Sequence, residues 1–251
     1  MDDVITALAE QQGELSMLLR GSDGRGWARP SRCEGWSVAD VVLHVAQTNE
    51  LAIGSAQGRF VDAMTELTAG LATTADIDEG ADLMVQRERG MGHDAILERF
   101  ETKGRELVEL LRATDPHRRV TWVAGELSIR TLATTRLAET WIHTGDVAQA
   151  LGVELPVTER VRHIARLAWR TLPYAFARAG RTMRGPVAFE LVGPAGDAWR
   201  FTPDTPALTT VRGPGADLVL VAARRVDPKD TALDGDGPDV DAVLELVRTY
   251  A

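Results

Sequence analysis

The chain has 251 residues, of which 44% are hydrophobic and 26% charged, an ordinary globular composition that excludes a disordered or fibrous polypeptide. Its length exceeds the usual single-domain size of about 100–150 residues and points to two modest domains. A formal charge of −9, with no dense Lys/Arg run beyond pairs such as Arg118-Arg119, argues against nucleic acid or anionic lipid as a partner.

The chain starts MDDVITALAEQQGELSMLL, with two acids and no basic flank before an apolar core, which does not read as a signal peptide. No apolar run reaches the roughly 20 residues that cross a bilayer. A single cysteine, Cys33, rules out an intrachain disulfide and a Cys-rich zinc site, and fits a reducing cytoplasm. From Val4 to Leu19 the apolar residues Val4, Ile5, Leu8, Leu15, Leu18 and Leu19 recur at helical spacing, and Gly21 ends the pattern. The loop GSDGRGWARPSRCEGW is rich in turn formers. Ser37 then opens a second helix, to about Gln57, with Asp40 three residues on as a variant capping box. A polar stretch follows, and residues 60 to 92 carry no assignable motif.

A third helical pattern covers roughly Asp82 to Ala113, with a break expected at Gly90-Met91-Gly92, and Pro116 stops it. A fourth runs from Ser128 to Ala150 through Ile129, Leu132, Leu137, Ile142 and Val147, and closes on Leu151-Gly152, where glycine is favoured. Thr158 is the expected cap of a fifth helix to about Ala179. From Gly185 the texture changes to short apolar runs between glycines and prolines. VAFELVG, AWRFTP, ALTTVRG and ADLVLVAAR read as three or four strands, before a last helix from about Val240 to Thr249. The expected fold is α+β. An up-and-down four-helix bundle occupies residues 1–182 and a small α+β domain residues 183–251, with the boundary near 181 to 186.

The stretch AETWIHTGDV carries the chemistry. Glu139 and His143 are four apart and share one helix face, and His44 in DVVLHVAQTNE supplies a second imidazole from another helix. Two nitrogens and one carboxylate oxygen on one side of a divalent ion leave positions open for water or substrate, the arrangement of a catalytic rather than a structural site. A solvated Glu-His pair, or a hydrogen-bonded core histidine, is the plainer alternative. Apolar neighbours around His44 (Val41, Val42, Leu43, Val45) and His143 (Trp141, Ile142, Val147) draw both inward, where each ring nitrogen needs a partner. Asp146 is placed to hold the second nitrogen of His143, or to sit as a solvated acid at the helix end. Asp40 reads as a cap first. Cys33 reads as a small apolar residue rather than a nucleophile, and packing is the default for Trp27, Trp36, Trp122 and Trp141. His93, His117 and His163 read as ordinary surface histidines.

WARPSRCEGWSVADVVLHVAQTNE, with its Cys-x-Gly-Trp turn and a histidine eight residues after the Trp, resembles a segment of the DinB-like, mycothiol-dependent maleylpyruvate isomerase family. RLAETWIHTGDVAQALG is similar to that family's second signature, and GADLVLVAARRVDPKDTALDGD to its small C-terminal domain. The likeness is greater to an actinobacterial metal-binding branch than to the isomerase itself, so the isomerase's substrate does not transfer. The resemblance implies metal ligands at His44, Glu139 and His143, for zinc or else nickel or iron(II), and mycothiol or a similar thiol as cosubstrate. It also implies an arginine that meets an acidic substrate, for which Arg224 is the match and Arg225 its neighbour. The expected activity is isomerisation or S-conjugation of a small electrophile by a cytoplasmic monomer or homodimer. A hydrolase or lyase using metal-bound water, and a non-catalytic metal-binding stress protein, are the alternatives.

Overall fold

The computed structural model describes residues 1–74, 76–123 and 125–249. It divides into two compact units, the first Met1–Leu155 and the second beginning at Pro156.

The first unit runs through α1 (Asp2–Arg20), α2 (Gly24–Trp27), α3 (Val38–Ala56), α4 (Phe60–Leu67), α5 (Ile77–Glu88), α6 (His93–Ala113), β1 (Arg119–Trp122), β2 (Gly125–Ser128) and α7 (Ile129–Leu151). The four long helices form the bundle: α3 packs on α6 and α7, and α1 packs on the same two. Helix α1 buries the stripe its spacing predicts, Val4, Ile5, Leu8, Leu15 and Leu19. Helix α3 is apolar on nearly every side because α4 and α5 also lie against it, and it is buried through most of its length. Leu15, Leu19, Trp27, Val41, Val42, Val45, Ile96, Phe100 and Val147 meet in one core cluster that joins these helices.

The expected break in the third helical pattern is real. Helix α5 ends at Glu88, Gly90 takes a left-handed φ of 106°, and α6 restarts at His93. Helix α5 begins earlier than expected because Asp76 caps it, its Oδ1 accepting from the backbone of Asp78 and Glu79. Helix α4 and the β1–β2 hairpin, in which Val120 pairs with Leu127, had no sequence signal long enough to mark them.

The second unit holds α8 (Val161–Arg170), α9 (Leu172–Arg178), β3 (Val187–Val192), β4 (Ala198–Phe201), β5 (Thr209–Pro214), α10 (Gly215–Ala222), β6 (Asp234–Asp236) and α11 (Val240–Leu246). Its sheet has the order β4-β3-β5-β6, with β3 and β5 parallel and the other pairs antiparallel. Three expectations need correction. The division falls at Leu155/Pro156 rather than near 182/183, because α8 packs on α10 and β4 of its own unit; the sequence texture changes where strands begin, not where packing changes. The expected fifth helix is two, parted at Thr171 just ahead of Pro173, which lacks the N–H a continuous helix would use. ADLVLVAAR is not a strand but α10. Its residues Leu218, Val219, Val221 and Ala222 are all buried, and a short run apolar on every side carries no period that separates helix from strand. The remaining strand is β6 instead. Among the described residues no helix is long and apolar enough to cross a membrane.

Candidate metal centre

Two helices aim the candidate ligands. The capping box forms as the sequence predicts: Ser37 accepts from the Asp40 backbone and Asp40 from the Ser37 backbone, which starts α3 at a defined residue and sets His44 two turns in. On α7, Ser128 caps the start, and Gly152 at φ 74° closes the end in the left-handed conformation that favours glycine. Packing of α3 on α7 brings His44 Nε2 to 2.8 Å from Glu139 Oε1, and the i,i+4 spacing brings His143 Nε2 to 3.4 Å from the same oxygen. The ligand atoms of all three residues lie within 4.8 Å of one another, and all three side chains are buried.

This set fits a divalent cation. Ligands about 2.0–2.1 Å from a tetrahedral zinc lie roughly 3.3–3.4 Å apart; the His143–Glu139 separation of 3.4 Å matches this, and the 2.8 Å His44–Glu139 hydrogen bond would open by about half an ångström to admit the ion. His44 Nδ1 is buried with no hydrogen-bond partner among the described residues, so Nε2, facing Glu139, is the nitrogen through which this ring is held. Burial pushes the His44 imidazole below its ordinary pKa despite Glu139, which favours the neutral, ligating form. Burial would also raise Glu139, but its hydrogen bonds to His143 and His44 outweigh that and hold the carboxyl well below the usual range. At His143 burial opposes a proton, yet hydrogen bonds to Asp146, Cys33 and Glu139 prevail and hold it well above the usual value. A cation at His143 Nε2 must therefore displace a proton.

The surrounding residues explain the orientation. Asp146, 1% exposed, places Oδ2 3.0 Å from His143 Nδ1, so this acid is an interior partner and not a solvated helix-end charge. Asp40 stays with its cap and pairs with Arg89 at 3.0 Å. Gly35, at φ 75°, permits the turn in which the Trp36 N–H donates to the Cys33 carbonyl. That turn brings Cys33 Sγ to 3.4 Å from Asp146 Oδ2 and the Trp36 ring to 5.1 Å from His44. Cys33 is thus more than apolar filler: it touches the acid that holds a candidate ligand. Trp27 packs by stacking on His93 at 5.1 Å, so His93 is not merely a surface residue.

Sequence alone does not mark Arg136. Its position, one turn before Glu139 on α7, was the available signal, but nothing local shows that a guanidinium there is 2% exposed and bonded to Thr48 and Asn49 of α3. In the second unit Arg224 is exposed, and its Nη1 donates to the Glu245 carbonyl at 2.7 Å.

Residues 8–148 match the family model described as Mycothiol maleylpyruvate isomerase N-terminal domain. The chain belongs to this family. Two uncharacterized proteins of Mycobacterium tuberculosis, from strains CDC 1551/Oshkosh and ATCC 25618/H37Rv, are each 31% identical over 250 residues, spanning 98% of this chain and 95% of theirs. Two crystal structures of the mycothiol-dependent maleylpyruvate isomerase, one of them a histidine-to-alanine mutant, align over 95% of both chains. Their TM-scores are 0.60 and 0.57 at 19% and 18% identity. At that identity the likeness is one of fold.

Proposed function

We propose that this protein is a divalent-metal-dependent enzyme that uses a low-molecular-weight thiol, of the mycothiol kind, to isomerise or S-conjugate a small electrophilic, acidic substrate. The observation that carries the reading is the convergence of His44 from one helix with Glu139 and His143 from another, their ligand atoms within 4.8 Å. Three protein ligands on one side of an ion leave room for a reactant, whereas structural sites are closed by four. Membership of a family whose name includes a thiol-dependent isomerase supports the choice of thiol chemistry.

A divalent cation held by His44, Glu139 and His143 would supply a Lewis acid able to lower the pKa of a thiol. The protein's own residues do the rest. Asp146 fixes the His143 ring, Glu139 contributes the anionic ligand, and Trp36 shields the His44 ring. A thiolate adding to a conjugated double bond, followed by rotation and elimination, isomerises it; displacement of a leaving group conjugates it. Arg224 is assigned to the carboxylate of the acidic substrate.

The test is His44→Ala, assayed for bound metal and for thiol-dependent turnover of an electrophilic substrate. Loss of both is expected. Turnover retained without metal overturns the reading, and wild-type turnover that needs no added thiol replaces it with hydrolysis by metal-bound water.

A further inference from the structure

Arg136 is 2% exposed, yet the acceptors it meets are neutral: Nη2 donates to Thr48 Oγ1 at 2.8 Å and to Asn49 Oδ1 at 3.2 Å. A buried cation is costly unless an anion compensates it. Glu139 follows Arg136 at i,i+3 on α7, the spacing that sets two side chains on one helix face, and Thr48 and Asn49 stand one turn past His44 on α3, so the guanidinium is set among residues of both ligand-bearing helices. Thr48 links it further, since its hydroxyl also donates to the His44 carbonyl at 2.9 Å. Asp146 is the other buried charge nearby, met by Arg32 at 4.0 Å, whose side chain is 38% exposed and screened by water.

We infer that Arg136 is a positioning residue that sets the charge of the His44, Glu139 and His143 centre, so that the centre prefers an anionic ligand, a thiolate or carboxylate, over a neutral one. The inference rests on the metal reading above. Two carboxylates, Glu139 and Asp146, cancel a divalent cation, and the buried Arg136 then leaves one net positive charge beside the centre. Without the guanidinium that surplus is gone. A role limited to clamping α3 to α7 would make no distinction between charged and neutral ligands.

Cobalt(II)-loaded protein tests this by visible absorption, with thiocyanate as the anionic probe and imidazole as the neutral one. Arg136→Met is expected to weaken thiocyanate binding by about tenfold or more, as the loss of one charge at low dielectric implies, and to leave imidazole binding as in the wild type. Asn49→Asp changes almost no volume and sets a carboxylate against the guanidinium, so it should produce the same selective loss even where Arg136→Met fails to fold. Arg136→Lys should retain the preference. Cobalt uptake with an unchanged preference in Asn49→Asp, or with equal loss of both probes, overturns this inference alone. A wild-type protein that takes up no cobalt overturns the metal reading and this inference with it.

Discussion

Asp146→Ala separates an oriented metal ligand from a chance cluster of polar side chains. Asp146 Oδ2 lies 3.0 Å from His143 Nδ1, and the acid is 1% exposed, so the contact is shut away from bulk solvent. Truncation leaves a buried imidazole N–H without its acceptor, a cost of about 1–3 kcal/mol to the folded state. It also frees the His143 ring to turn, and outer partners of this kind are worth about 10–100-fold in metal affinity, or about 1.4–2.7 kcal/mol. Asp146→Asn keeps an oxygen facing the ring and removes only the charge, so its loss should lie near the tenfold end. Thermal melts of chelator-treated protein measure the cost to the folded state, and competition against a chromophoric chelator measures the loss of metal affinity. An Asp146→Ala dissociation constant equal to that of the wild type would refute the argument, because His143 would then need no orienting partner or would not be a ligand.

Other expectations follow from particular contacts. A Cβ at Gly54 would stand 2.5 Å from that of Ala63, so Gly54→Val should destabilise the first unit by about 1–3 kcal/mol by forcing α3 and α4 apart, measurable by denaturant titration. Burial raises the Glu88 carboxyl, but hydrogen bonds from Arg99 and Gln47 outweigh it and leave the pKa below its ordinary value. Its contribution is therefore present above the unfolded pKa of about 4.3 and is lost as pH falls through the lower folded value; Glu88→Gln should flatten the melting temperature against pH over that acid range. Arg224 sits at φ 59° after α10, where Arg225 donates to the Leu220 carbonyl and Arg224 to that of Val221, a helix ending that favours glycine. Arg224→Gly should relieve up to about 1 kcal/mol of backbone strain in a melting experiment. Under the role proposed for Arg224 it should also raise KM for an acidic substrate, and an unchanged KM would remove that role.

Local chemistry was legible without coordinates. Apolar spacing announced α1, α3 and α7, while Ser37 with Asp40 and Gly152 marked helix ends, because capping and helical periodicity depend on residues within a turn or two of each other. The same locality put Glu139, His143 and Asp146 on one side of α7. Tertiary structure decided what sequence neighbours cannot encode: the approach of α3 that sets His44 2.8 Å from Glu139, the Cys33 turn that reaches Asp146, and the burial of Arg136 against Thr48 and Asn49. It also decided that ADLVLVAAR is a helix and that α8 belongs to the second unit. A run apolar on all sides takes its conformation from the surfaces that cover it, and a domain boundary lies where packing partners change.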